Sequence, residues 1–102
     1  MAMTQSFGSF AEFYPYYLSE HEDVRCRRMH FMGTWLVLVA LALAVMHSPW
    51  WVLAMPLFGY GFAWLGHLLF EKNRPATFKH PFYSLLGDWV MFADILRGRV
   101  RI

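Results

Sequence analysis

Two apolar runs joined by three residues constrain this chain more than anything else in it. From Phe31 to Met46 the sequence reads FMGTWLVLVALALAVM, sixteen residues without a charge. From Trp50 to Phe70 it reads WWVLAMPLFGYGFAWLGHLLF, interrupted only by His67. As helices rising about 1.5 Å per residue, the runs measure roughly 24 and 31 Å, against about 30 Å for the hydrocarbon core of a bilayer. His47-Ser48-Pro49 between them is too short for anything but a tight turn, so helices 30–46 and 50–70 are predicted to form an antiparallel hairpin.

Composition decides what surrounds that hairpin. Of 102 residues 58% are apolar and 16% charged, where a soluble domain carries roughly 25% charge. So short a chain has little else to cover two helices that are apolar all round, which predicts an integral membrane protein. The same numbers exclude a disordered chain and weigh against a nucleic-acid module. Arg25, Arg27 and Arg28 precede the first run, Lys72, Arg74 and Lys79 follow the second, and the turn holds no Lys or Arg. The positive-inside rule puts both outer ends on the cytoplasmic face, with Trp50 and Trp51 in the opposite aromatic belt. The setting would be a bacterial inner membrane, or the endoplasmic reticulum of a eukaryote. Glu12, Glu20, Glu22 and Asp23 ahead of the first run are unlike a cleaved signal. A lone Cys26 supports neither a disulfide framework nor a four-thiolate zinc site.

Two further helices flank the hairpin. Phe7, Phe10, Phe13, Tyr14, Tyr17 and Leu18 recur at spacings of three and four, predicting an amphipathic helix over 7–18, across Pro15, on the membrane surface. Asn73 to Thr77 reads as a loop, and His80-Pro81 opens a helix over 81–96 that is apolar apart from a stripe of Ser84, Gly87, Asp88, Met91 and Asp94. That stripe suits an interface or a polar cavity. Gly98 ends the helix, and Arg97, Arg99 and Arg101 form a tail suited to anionic headgroups. The whole is a small all-α protein with one membrane-embedded domain over 1–102. Gly59, Gly61 and Gly66 would permit either close internal packing or a homo-oligomer.

The chemistry lies in the histidines. His67 and Glu71 are four apart and share a helix face. His21 and His30 are nine apart, which on one continuous helix would oppose them, so they converge only if the chain turns at Glu22–Arg25. Because the hairpin is antiparallel, His21, His30, His67, Glu71 and His80 collect at one end and His47 alone at the other. Three imidazoles, with or without a carboxylate, make a ligand set for zinc or ferrous iron with positions open for substrate or oxygen. No phosphate-binding glycine loop is present. Cys26 and His30, four apart, lack the third group and oxyanion hole of a thiol nucleophile.

The stretch YPYYLSEHEDVRCRRMHFMGT (Tyr14 to Thr34), with GHLLFEKNRPATFKHPFYSLLGDWVMF (Gly66 to Phe92), resembles the 2-hydroxy fatty acid dioxygenase family, over nearly the whole chain. The resemblance implies an iron(II)-dependent dioxygenase in a membrane, taking a 2-hydroxy fatty acid and dioxygen and shortening the acid by one carbon. It implies His21, His30 and His67 as catalytic iron ligands, with Glu71 in the same motif as ligand or orienting group; Asp88, on the polar stripe, is a lesser candidate from the sequence pattern alone. Membrane lipid would be the surroundings, and no nucleic acid a partner. A reading from a different class is a non-catalytic membrane protein whose histidines bind a metal or haem.

Overall fold

The computed structural model describes residues 7–75 and 78–102. Ala76 and Thr77, the end of the expected loop, and the first six residues of the expected domain lie outside them. Among the described residues all regular structure is helical, in agreement with the all-α expectation. It comprises α1 (Phe10–Ser19), α2 (Val24–Met46), a 3-10 turn (Pro49–Leu53), α3 (Ala54–Gly66), a π-helical turn (His67–Glu71) and α4 (Pro81–Leu96).

α2 begins six residues before the predicted start at position 30. The Asp23 side chain caps it, accepting from the Arg25 N–H at 2.8 Å, which satisfies one of the unpaired donors of the first turn. Arg25, Arg27 and Arg28 then stand on the first turns of the helix, because a charge ends the apolar face without ending the backbone hydrogen bonding. The resulting 23 residues measure about 35 Å, more than the bare apolar run. On the other side of the turn, Ser48 accepts from the Trp50 N–H and Pro49 occupies the first position of the 3-10 turn, where its missing donor costs nothing. α2 and Pro49–Glu71 are both long and apolar enough to cross a bilayer.

The two arms approach closely at Gly33, where a β-carbon would stand 2.9 Å from the Phe62 Cβ and 3.0 Å from the Phe58 carbonyl oxygen. Of the glycines singled out in the sequence, Gly66 faces Cys26 and Gly59 faces Val37, while Gly61 meets nothing.

α1 and α4 pack on each other. The aromatic face of α1 places Phe13 and Tyr17, at 0% and 1% exposure, against Met91 and Ile95 of α4. Each fully buried side chain of this size contributes roughly 1.5–3 kcal/mol. α1 carries Pro15 internally, and Ala11, whose carbonyl thereby loses its donor, is exposed to other partners. On α4 the polar stripe is the inward side: Ser84, Gly87 and Asp94 are buried, whereas Leu85, Leu86 and Trp89 face outward. Its carboxylates find phenols on α1, the Tyr14 hydroxyl donating to Asp94 at 2.8 Å and the Tyr17 hydroxyl to Asp88. Gly87 makes this approach possible, since a β-carbon there would lie 2.9 Å from the Tyr17 ring.

Candidate metal centre

Three elements deliver one imidazole each to a common point. α1 ends at Ser19, and the turn to Asp23 carries His21 back over the start of α2; His30 lies two turns into α2; His67 opens the π-helical turn. All three are buried, at 1%, 5% and 1% exposure. The His21 Nε2 is 3.1 Å from the His30 Nε2 and 2.9 Å from the His67 Nε2, and the three ligand atoms lie within 4.8 Å of one another.

The other ring nitrogens fix the protonation pattern. The His21 Nδ1 is 2.6 Å from the Tyr17 carbonyl and the His30 Nδ1 is 3.0 Å from the Cys26 carbonyl. A carbonyl only accepts, so both Nδ1 atoms carry the proton. The His67 Nδ1 is 2.6 Å from the Asn73 Oδ1, and the Asn73 amide nitrogen donates to the Glu20 carbonyl at 3.3 Å, which orients the amide with its oxygen toward the ring. All three neutral rings therefore donate outward and turn an Nε2 lone pair inward. No proton is left to bridge these nitrogens, so the arrangement is unfavourable until a cation sits among them. Outward donation of this kind is how metal-binding histidines are held. Burial, with His30 and His67 alongside, pushes the His21 pKa well below its ordinary value, which keeps that ring in the neutral, ligating form.

The space between the rings is about 10 Å³, bordered also by Tyr17 and Asp88. It admits a bare ion and no porphyrin, so the trio fits a metal and does not fit haem. Tyr17 stacks on His21 with ring centroids 4.0 Å apart, closing one side.

Not every candidate joins the trio. The Glu71 carboxylate accepts from the Asp23 N–H, tying the end of the π-helical turn to the cap of α2. His80 packs among aromatic rings, 5.2 Å from Phe7 and 5.4 Å from Phe13 between centroids. His47, at the far turn, is exposed and accepts from the Trp51 indole at 3.3 Å. Asp88 borders the same space as the trio, and burial raises its carboxyl to a pKa of about 7.

Asn73 is the residue that sequence reasoning passed over. Lys72 adopts a left-handed conformation, with φ of 58°, and its N–H returns to the His67 carbonyl. That reversal brings Asn73 under the imidazole. A Lys-Asn pair closing a long apolar helix was the available signal, since Asn favours helix-ending turns.

The fold and site define a class: a helical hairpin whose open end gathers three buried imidazoles that could hold a metal ion. Across residues 7–100 the sequence matches the Mpo1-like family, described as 2-hydroxy-palmitic acid dioxygenase Mpo1-like. The chain belongs to that family. No curated protein and no solved structure is significantly similar to it.

Proposed function

We propose that this protein is an iron(II)-dependent membrane dioxygenase that shortens 2-hydroxy fatty acids by one carbon. The observation that carries the reading is the trio of inward Nε2 lone pairs in a chain whose family is described as a 2-hydroxy-palmitic acid dioxygenase. His21, His30 and His67 would hold the ion. Three neutral imidazoles without a thiolate suit ferrous iron as a donor set and would leave positions free for substrate and oxygen. Iron when bound would supply dioxygen activation and a chelation point for the vicinal hydroxyl and carboxylate of the acid.

The remaining work falls to the chain. The Tyr17 and Cys26 carbonyls and Asn73 hold the rings in register, and Glu71 acts as a positioning residue by clamping the turn that carries His67 to the start of α2. Asp88 stands where a substrate hydroxyl would arrive. Its carboxyl, near pKa 7, can accept and release a proton at neutral pH. Cleavage between C1 and C2 with one dioxygen balances as the acid one carbon shorter, carbon dioxide and water.

Membrane insertion is supported by what the spans leave uncovered: only 28% of one apolar window and 17% of the other are buried within the protein, whereas the core helix of a soluble protein is mostly buried. Arg25, Arg27, Arg28 and Lys72 support a cytoplasmic position for the metal end, and the reading takes the chain as one membrane-embedded domain.

The test is elemental analysis of anaerobically purified wild-type and His67→Ala protein, followed by 2-hydroxypalmitate and oxygen. Near-stoichiometric iron and a 15-carbon product in the wild type, both lost in the variant, are expected; retention of both in His67→Ala overturns the reading.

A further inference from the structure

A second and larger cavity lies beside the trio, with His30 in its wall. It has a volume of about 260 Å³ and runs between α2, α3 and α4. It shares His30, Tyr60, Ala63 and Asp88 with the small space between the imidazoles, so the two are neighbours. Its polarity is graded. His30 and Asp88 stand at the metal end, while Val37, Met55, Pro56 and Gly59 line the other. Thr34 lies between them, but its hydroxyl is spent on the His30 carbonyl at 2.9 Å, so it offers the cavity no free donor. From His30 to Val37 along α2 is about 10 Å at 1.5 Å per residue, and from Ala63 back to Met55 on α3 is a similar distance. Leu85 and Trp89 of α4, both partly exposed at the surface, border the fourth side.

Such a cavity fits a molecule with one polar end and a single unbranched apolar tail. We propose that it is the acyl-chain channel of the substrate: the head lies at His30 and Asp88, the chain runs down α2 and α3, and Met55 and Val37 stand at its end. The assignment rests on the reading of the site as acting on a 2-hydroxy acid. A methylene is about the size of a water molecule, which occupies about 30 Å³ in the liquid, so the channel holds roughly eight or nine of them. An eight-carbon acid lies wholly inside. A sixteen-carbon acid overruns Met55, and its last carbons continue into the lipid outside.

Discrimination by length should therefore be set at Met55 and not at the metal. The test compares 2-hydroxyoctanoate with 2-hydroxypalmitate, binding under anaerobic conditions to full-length protein in lipid nanodiscs. The quantity read is the ratio of their dissociation constants, so that partitioning into the bilayer cancels between variants. Each buried methylene is worth roughly fourfold in affinity. Met55→Trp, which plugs the far end, is expected to weaken the sixteen-carbon acid by about tenfold or more while the eight-carbon acid changes less than about twofold. Circular dichroism and metal content report whether the tryptophan variant is folded, and Met55→Phe gives the same split in weaker form if it is not. Equal weakening of both acids, no change in either, or no binding of either acid to the wild type overturns the proposal. Because binding is read without turnover, a length split in a protein that forms no product would sink the dioxygenase reading and leave the channel standing.

Discussion

The two ends of the hairpin hold the same residue type in opposite circumstances. At the turn, His47 is exposed, its Nδ1 accepts from Trp51, and its surroundings are exposed apolar residues such as Met46 and Trp50. At the open end, His21, His30 and His67 are buried, and each Nδ1 donates to a fixed acceptor. The difference teaches that a histidine becomes a ligand by what its far nitrogen finds, more than by where it falls along an apolar helix. An acceptor behind the ring fixes the tautomer and aims the lone pair; a donor behind it does the reverse.

The largest expected effect breaks the comparison outright. His67→Ala should lower metal affinity by more than the roughly 10–100-fold typical of losing an outer partner, and His47→Ala should leave it unchanged, both read by chelator competition. If His47→Ala released the metal as well, the two ends would not differ as described.

Next comes the residue behind a ligand. Asn73→Ala should reduce metal affinity by about 10–100-fold without unfolding the protein, and Asn73→Asp, which still accepts from the ring, should restore most of it. Equal loss in both variants would mean that Asn73 acts only through its contact with Glu20.

Acidity sharpens the contrast further. The His21 pKa is depressed in the fold, so below the ordinary value of about 6.5 the unfolded chain binds more protons than the folded one. The metal-free protein should thus keep the full contribution of His21 above that pH and lose stability as the pH falls through and below it. Thermal unfolding of wild type and His21→Gln across pH 5 to 8 would show it, with the gap in slope closing above about pH 7; parallel curves throughout would refute it. The smallest effect is at the turn, where His47→Ala should change stability by no more than about 0.5 kcal/mol in chemical denaturation.

Much of this end-to-end difference is legible in the sequence. Apolar run length and the three-residue turn yield the hairpin, antiparallel arms bring His30 beside His67, and the nine-residue spacing of His21 demands the break that occurs between Ser19 and Val24. Three features are not legible. The start of α2 is hidden because capping by Asp23 acts through the backbone, independently of apolar periodicity. The direction of the α4 stripe is hidden because a narrow polar face suits water and a buried phenol equally; Tyr14 and Tyr17 decide it. The position of Asn73 depends on a π-helical turn followed by a left-handed Lys72, and neither follows a 3.6-residue pattern. Glu71 shares a face with His67 by spacing, yet its oxygen goes to an amide of the α2 cap, since a free N–H there competes for it.

Of the three acceptors that aim the imidazoles, two are main-chain carbonyls, those of Tyr17 and Cys26, each four residues before its histidine. A carbonyl of this kind survives every point substitution at its own position. Two thirds of the cradle's aim is therefore insulated from mutational drift, and the exposure to drift is concentrated in Asn73. Loss of the cradle should be sought first at that codon, and a designer transplanting it to another hairpin would have one side-chain partner to carry along, not three.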